Sequence, residues 1–274
     1  MNVVKRDGRT EELNIEKIHE VLYWAIEGIK GVNISDIEIK IGVQFYDGIP
    51  TEKIHELLIN ACSDLISEKT PNYQQVAANL LNFYLRKQVF NTSDNMPTLR
   101  SVIKRNVEDE IYDPVILEKY SSDELKKLNN IIKHRRDYNF VYAGLQQLID
   151  KYLLKDRSTG RIYETPQFMY MLICMTLMSD VEDIHERRRL IKELYNDLSL
   201  FKISLPTPIM CGVRTSSRQY SSCTLIDVGD DLPSIFHSNT AVGYYTANRA
   251  GIGLNFGRIR GVGSKIRNGE VVHT

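Results

Sequence analysis

The sequence has few cysteines, and no two of them are close enough to form a C-x-x-C pair. The four are Cys62, Cys174, Cys211 and Cys223. Zinc ribbons use closely spaced cysteine pairs, and secreted disulfide frameworks use many cysteines in a short chain. The spacing therefore argues against both classes and indicates a reducing compartment, which we expect to be the cytosol.

The chain also lacks an excess of charge and a long hydrophobic run. Its 35 lysines and arginines balance 35 aspartates and glutamates, so no overall field attracts nucleic acid or an anionic membrane. The longest apolar run, Phe168 to Met178, is about half of the roughly twenty residues that a membrane span needs. The charged N-terminus, MNVVKRDGRTEELN, does not read as a signal peptide. We therefore expect a cytoplasmic protein without a nucleic-acid or membrane partner.

Two common nucleotide-binding motifs are missing from the sequence. The string GIGLNFG is one residue longer than the dinucleotide fingerprint, and no acidic residue follows about twenty positions later to bind a ribose. A Walker A loop is absent as well. Any phosphate site in this chain must therefore be built from local clusters of cations.

The start of the chain predicts a hairpin followed by a small helical bundle. The pair Asp7–Gly8 between two extended runs is a strong signal for a tight β-turn. Asn14 is the predicted N-cap of a first helix and Thr51 of a second, and Pro71 opens a third.

Several cations are close together at the start of the first predicted helix. Lys5, Arg6 and Arg9 lie on the hairpin, and Lys17 lies one turn into the helix. Cations that meet a helix N-terminus can form a phosphate site. The alternative is a charged hairpin that is only solvated.

The following residues, up to Leu200, are predicted to be mainly helical. A polar stretch from residue 91 suggests a linker and charged helices, and the KHRRD run at Lys133–Asp137 is interpreted as a solvated helix face. The apolar run behind Pro166 predicts a buried helix, and DIHERRRLIKELYNDLS predicts an amphipathic one.

The pattern changes to short β-type runs after Leu200. SSCTLIDV and IGLNFGRI are separated by a predicted helix from Leu232 to Arg249, an order that predicts parallel strands. Six glycines fall between Gly251 and Gly269, among regularly spaced arginines. The predicted domains are 1–90, 91–200 and 201–274.

Cys223 has two interpretations on its own residues. It can be a small buried hydrophobe, or a redox thiol, which needs a second thiol because two-electron reduction by cysteines ends in a disulfide. Cys211 lies twelve residues away, but nothing in the spacing favours it as the partner. Cys62 and Cys174 lie on apolar helix faces and are predicted to belong to the core.

Several strings together resemble a known family. VVKRDGRTEELNIEKI resembles the start of an ATP-cone, the nucleotide-sensing module of ribonucleotide reductases and a few regulators. VQFYDGIP, FKISLPTPIM, GVRT, RQYSSC, RAGIG, GRIR and IRNGE are similar, in order and spacing, to the class I ribonucleotide reductase large subunit. The resemblance covers essentially the whole chain. It implies an α+β to α/β fold: a helical ATP-cone and helical region, then the first strands of an incomplete ten-stranded α/β barrel.

The resemblance also implies an activity. The family reduces ribonucleoside diphosphates to deoxyribonucleotides: a cysteine thiyl radical removes the ribose 3′ hydrogen, and a cysteine pair supplies two electrons as the 2′ hydroxyl leaves as water. By position, Cys223 resembles one member of the reducing pair. Thr207, Ser222 and Gly251 resemble the residues that contact the substrate's diphosphate and ribose.

Two allosteric sites are implied in the same way. At the specificity site a deoxynucleotide effector, bound at a dimer interface, selects the base that is reduced; its residues would be Asp230, Asp231, Leu232, Arg260 and Arg267. The activity site distinguishes ATP from dATP; its residues would be Lys5, Arg6, Glu11, Asn14, Lys17, Thr51, His55 and Lys87. Mg²⁺ is expected to accompany the nucleotides. No covalently bound cofactor and no metal ligand is expected in this chain.

The family's radical cysteine, second reducing cysteine and redox tail have no counterpart up to Thr274. We therefore expect the N-terminal piece of a split large subunit, inactive alone. It would be completed by a C-terminal chain and served by a small subunit whose metal cofactor generates the radical. The assembled large subunit is expected to self-associate. Two alternatives stay open: a non-catalytic regulator that responds to ATP or dATP, which the intact SSC setting of Cys223 disfavours, and a degenerate remnant, which the intact cone residues disfavour.

Overall fold

The computed structural model describes residues 1–42, 44–217, 220–248, 250–266, 269 and 271–272. The chain divides into two compact units, Met1–Ser204 and Leu205–Thr274. The three predicted domains, 1–90, 91–200 and 201–274, stay a prediction. No helix within the described ranges is long and apolar enough to cross a membrane.

The first unit begins with a small three-stranded sheet. Strands β1 (Asn2–Val4) and β2 (Thr10–Glu12) pair antiparallel, and β3 (Ile49–Pro50) pairs parallel with β1 on its other side. The turn between β1 and β2 contains Gly8 at φ +81°, a left-handed conformation that glycine adopts without strain. The predicted Asp7–Gly8 hairpin is therefore confirmed.

Four helices pack behind this sheet: α1 (Ile15–Ile26), α2 (Ile34–Ile41), α3 (Thr51–Asp64) and α4 (Tyr73–Phe90). Asn14 caps α1 as predicted, because its side chain accepts a hydrogen bond from the Lys17 backbone at 3.2 Å. The N-cap predicted at Thr51 is wrong: Pro50 occupies the cap position and Thr51 is already helical. Pro50 still pairs with Val4 in the sheet, so the chain passes from strand to helix without an intervening residue.

The remainder of the first unit is helical, and its centre is a single buried helix. The elements are α5 (Leu99–Glu108), α6 (Val115–Lys119), α7 (Ser122–Asn129), a 3-10 helix (His134–Asn139), α8 (Tyr142–Gln147), a π-helical turn (Leu148–Tyr152), α9 (Pro166–Leu177) and α10 (Ile184–Ser199). Every residue of α9 from Pro166 to Met175 is buried, which confirms the helix predicted behind Pro166. The antiparallel bridge between Lys155 and Ile162 forms a short hairpin before it.

The run Lys133–Asp137 is not a solvated helix face, and that prediction is wrong. It enters the 3-10 helix His134–Asn139, and Asp137 is fully buried. Asp137 Oδ2 accepts a hydrogen bond from Arg86 Nη2 at 3.1 Å. The partner lies 51 residues earlier in the sequence, so local charge patterning gave no sign of it.

The burial of His134 makes the first unit sensitive to acid. Burial, followed by the positive charge of Arg86, lowers the pKa of His134 to about 4, while the unfolded imidazole titrates near 6.5. The unfolded chain therefore binds a proton first, and this contribution to stability is present above about pH 6.5 and is lost toward pH 4. The contribution of Asp137 to stability changes with pH in the opposite direction, because burial raises the pKa of Asp137 to about 6 against the effect of Arg86.

The effect of His134 is best isolated with a variant. We expect the loss of unfolding free energy between pH 7 and pH 5 to shrink by about 2 kcal/mol in His134→Gln, as measured by urea unfolding. An identical pH dependence in His134→Gln and the parent chain would contradict the assignment.

The second unit contains a parallel strand pair joined through a helix. Its elements are α11 (Thr207–Gly212), β4 (Cys223–Asp227), α12 (Leu232–Ala247), β5 (Gly251–Asn255), β6 (Lys265–Ile266) and β7 (Val271–Val272). β4 and β5 pair parallel in a register that runs from Cys223 opposite Gly251 to Asp227 opposite Asn255. The predicted strand–helix–strand order and parallel pairing are confirmed.

Candidate functional site

A cavity of about 590 Å³ opens between the β1–β2 hairpin and helices α1, α3 and α4. It brings together all eight residues that the sequence assigns to an activity site: Lys5, Arg6, Glu11, Asn14, Lys17, Thr51, His55 and Lys87. The hairpin supplies three of them, Asn14 is the N-cap of α1, and helices α1, α3 and α4 supply the others. These residues come from positions up to 82 apart in the sequence (5 to 87), so only the fold makes them neighbours.

The cavity wall is rich in positive charge. Its lysines and arginines are Lys5, Arg6, Arg9, Lys17 and Lys87, and its carboxylates are Asp7 and Glu11. Glu11 Oε1 lies 2.7 Å from Lys5 Nζ and 3.8 Å from Lys17 Nζ. Two cations therefore share one carboxylate, which leaves charge to attract an anion with several negative groups.

Two aromatic rings of α4, Phe83 and Tyr84, contact side chains that line the cavity. The His55 ring lies 5.6 Å from Phe83 and 5.8 Å from Tyr84, measured between centroids, and Lys87 Nζ lies 4.3 Å from the centroid of Phe83. Arg6 is 5.5 Å from the Tyr84 ring. The α4 residues Phe83, Tyr84 and Lys87 therefore join the hairpin to α3 through ring contacts.

The charge states of His55 and Lys87 follow from burial. Burial lowers the pKa of His55 to about 4, and the positive charges of Lys87, Arg6 and Lys5 act in the same direction. Its Nδ1 atom is buried without a hydrogen-bond partner among the described residues. Burial also lowers the pKa of Lys87, again with help from Arg6 and Lys5. The cavity thus combines a neutral imidazole with a lysine that an anionic partner would stabilise.

Sequence reasoning missed the apolar wall of the cavity. Its members are Val3, Leu13, Ile18, Val21, Ile54 and Leu58, and Asn91 also lines the cavity. The helical periodicity of α1 and α3 contained part of this signal, because Ile18 and Ile54 belong to their apolar stripes. A lining that combines cations with apolar side chains suits a ligand with both phosphate and ring parts.

Three of the four predicted catalytic and substrate residues meet at the start of β4. Ser222 Oγ lies 3.8 Å from Cys223 Sγ, and the Gly251 backbone donates a hydrogen bond to Ser222 O at 2.8 Å. A Cβ placed on Gly251 would lie 3.8 Å from the Cys223 sulfur. Cys223 is exposed, which excludes its interpretation as a buried hydrophobe in this chain. Thr207 is the first residue of α11.

The other thiols differ from Cys223 in burial. Cys62 and Cys174 are buried, as predicted, and burial raises the pKa of both, that of Cys62 to about 12. Cys211 is half-buried on α11. Among the described residues, no group of three histidine, cysteine or carboxylate side chains is placed to hold a metal ion.

The predicted specificity residues are arranged around one ion pair. Arg260 Nε donates to Asp230 Oδ2 at 2.8 Å, and the Arg260 backbone donates to Oδ1 at 3.1 Å. Asp231 caps α12 by accepting from the Ser234 backbone at 2.8 Å, and Leu232 is exposed. Arg267, also predicted for this site, lies outside the described residues. The structure thus joins Asp230 to Arg260, a contact that the sequence did not reveal.

Comparison with known proteins gives three family matches in chain order. The ATP cone domain matches residues 1–88, the ribonucleotide reductase all-alpha domain matches 138–218, and the ribonucleotide reductase barrel domain matches 221–274. The first match contains every residue of the cavity except Asn91, and the third contains Cys223 and the β4–β5 pair. An ATP cone match indicates a nucleotide-binding module.

Individual relatives agree with these matches. The chain is 48% identical to ribonucleoside-diphosphate reductase 1 subunit alpha of Escherichia coli over 99% of its length, and 49% identical to that of Salmonella typhimurium over the same share. It is 43% identical to the subunit alpha of Enterobacteria phage T4 over its whole length. In each case the chain spans 36% of the relative. The chain is therefore similar over essentially its whole length to part of the ribonucleotide reductase large subunit, with matches to the ATP cone, the all-alpha domain and the barrel domain in that order.

Proposed function

We propose that the cavity of the first unit is an allosteric site that binds ATP or dATP. The observation that carries this proposal is the grouping of five cations, a neutral His55 and an apolar wall in one cavity. Lys5, Lys17 and Lys87 bind the phosphates as charged donors. His55 and the apolar wall hold the nucleoside, and Glu11 positions Lys5 and Lys17. Mg²⁺ enters with the nucleotide.

Isothermal titration of the whole chain with ATP and with dATP tests this site. We expect saturable binding to the cavity, for which the two nucleotides compete. Because charge-assisted contacts dominate the binding, the affinity should fall as salt is raised from 50 to about 300 mM. Absence of saturable binding at both salt concentrations would refute the assignment.

The second unit, we propose, contributes to reduction of ribonucleoside diphosphates by a radical mechanism. The observation that supports this role is the exposed thiol of Cys223, which lies beside Ser222 and Gly251, a residue without a side chain. Ser222, Gly251 and Thr207 bind the substrate's ribose and diphosphate. Cys223 is one thiol of the reducing pair: as the 2′ hydroxyl leaves as water, the pair gives up two electrons and becomes a disulfide, which an external dithiol reduces again.

The effector that selects the base is proposed to bind at α12 and the loop after β5. Arg260 keeps guanidinium N–H groups beyond those bonded to Asp230 and Lys265, and these can donate to a phosphate. Asp231 and Leu232 start the helix against which the effector lies, and Arg267 is a further proposed phosphate contact. Since family specificity sites lie at dimer interfaces, we propose that the assembled large subunit self-associates.

Turnover is proposed to need the remainder of the large subunit, supplied as a second polypeptide, and a radical-generating small subunit with its metal cofactor. The chain spans about a third of its relatives. Apolar side chains of the second unit are open to solvent, which supports the need for further large-subunit residues. The most exposed of these side chains are Leu225, Val262, Tyr244, Leu232 and Phe236. Large apolar side chains left this open to solvent suit an interface with further protein.

A further inference from the structure

Two consecutive residues of α4 lie in different environments. Lys87 lines the cavity, whereas Arg86 is 4% exposed and contacts the 3-10 helix on another side of α4. Successive residues of an α-helix are about 100° apart, so one turn of α4 reaches both environments. A movement of this turn would therefore change contacts in the cavity and at the 3-10 helix.

The Arg86 side leads by hydrogen bonds into the helical core. Arg86 Nη2 donates to Asp137 Oδ2 at 3.1 Å, and Gln167 Nε2 donates to Asp137 Oδ1 at 2.9 Å. The Tyr195 hydroxyl in turn donates to Gln167 Oε1. Gln167 belongs to α9 and Tyr195 to α10, and each of these side chains except Arg86 is completely buried. We call Arg86, Asp137, Tyr138, Gln167 and Tyr195 the Arg86 junction.

The Lys87 side leads to the same junction through aromatic rings. Lys87 Nζ lies 4.3 Å from the Phe83 centroid, and Phe83 lies 5.5 Å from Trp24. Trp24 meets Tyr138 edge-on at 5.6 Å. Tyr138 stacks under the Arg86 guanidinium at 4.8 Å and accepts a hydrogen bond from Arg86 Nη1 at 3.2 Å. A closed path of contacts therefore joins the cavity lysine to the buried arginine.

Some buried hydrogen-bonding groups in and next to the junction have no partner among the described residues. Arg86 Nε and both polar atoms of the fully buried Asn82, one turn earlier on α4, have no hydrogen-bond partner among the described residues. Burial raises the pKa of Asp137 to about 6 even though Arg86 is its neighbour, which indicates a costly buried charge. A buried network with unused donors and acceptors can exchange partners at small cost, as a two-state element requires.

We propose that the Arg86 junction transmits occupancy of the cavity to helices α9 and α10, an inference that rests on the proposed nucleotide site. An anionic ligand draws Lys87 Nζ away from the Phe83 ring. Phe83, Trp24 and Tyr138 then repack. The contact between Tyr138 and Arg86 changes, and this alters the hydrogen bond from Arg86 to Asp137. Through Gln167 and Tyr195 this change reaches α9 and α10.

Hydrogen exchange of the whole chain, with and without saturating dATP, tests the junction. In the parent chain dATP should change the exchange rates of α9 and α10 amides by at least about fivefold. In Tyr138→Leu this change should vanish while calorimetry still detects dATP binding, with an affinity shifted about fivefold because coupling is reciprocal. Trp24, the only tryptophan of the chain, reports the aromatic path by its fluorescence.

Two further variants keep the test decisive. Asp137→Asn removes the charge, nearly preserves the shape of the side chain, and should also abolish the dATP-dependent change in exchange. It provides the test if Tyr138→Leu fails to fold. Glu124→Gln breaks another nearly buried ion pair of the same unit, with Arg187, and should leave the dATP-dependent exchange intact. Binding of dATP with unchanged exchange in α9 and α10, or a change that persists in both junction variants, would overturn the proposal. Absence of dATP binding would refute the nucleotide site and the junction together.

Discussion

Replacing Cys223 with serine should abolish ribonucleotide reduction by the assembled enzyme and leave nucleotide binding unchanged. The measurement is turnover of a ribonucleoside diphosphate by this chain mixed with the remainder of the large subunit and the small subunit. Serine preserves the size of the side chain but cannot form the disulfide that accompanies two-electron reduction. We expect turnover to fall by at least about a thousandfold, to the background of the assay.

The other thiol of the second unit provides a matched control. Cys211 is half-buried on α11, and Cys211→Ser should retain turnover because the proposed mechanism gives this residue no role. A chain that acts only as a nucleotide-responsive regulator would be unaffected by either substitution. Retained turnover in Cys223→Ser would therefore refute the reducing role of Cys223.

Lys87→Ala should weaken the binding of both ATP and dATP by about 10- to 100-fold. Lys87 is held in the cavity wall beside Phe83, and burial together with Arg6 and Lys5 disfavours its charge in the empty cavity. A phosphate relieves that repulsion, and a charge-assisted hydrogen bond contributes about 1.5–3 kcal/mol. Calorimetric titration of the variant chain gives the loss of affinity directly.

Lys104→Ala serves as the control for this prediction. Lys104 is an exposed lysine of the same unit, paired with Glu108 one turn along α5 and absent from the cavity wall. Its removal should leave both affinities unchanged, whereas Lys87→Arg should recover part of the binding because it restores the charge. Equal affinities in Lys87→Ala and Lys104→Ala would place the nucleotide elsewhere.

The features that the sequence predicted correctly depend on near neighbours in the chain. The turn at Gly8 and the cap at Asn14 need only a few adjacent residues, and both are present. The buried α9 follows from its own apolar run. The parallel β4–β5 pair follows from the order strand, helix, strand.

The features that the sequence did not reveal depend on distant partners. The sequence placed Asp137 in a solvated run because its hydrogen-bond partner Arg86 lies 51 residues earlier in the chain. Thr51 looked like a cap because nothing local shows that Pro50 remains paired in the sheet. The family resemblance named the residues of the cavity, but only the fold shows the rings of Phe83 and Tyr84 that support His55.

The measurement that tests the account most directly is turnover of a ribonucleoside diphosphate by the reconstituted enzyme. This chain, the remainder of the large subunit and the radical-generating small subunit are assayed together and in each pairwise combination. We predict deoxyribonucleotide formation only when all three are present, with a rate that responds to ATP or dATP and is lost in Cys223→Ser. No product from the complete mixture, or equal product without this chain, would contradict the account.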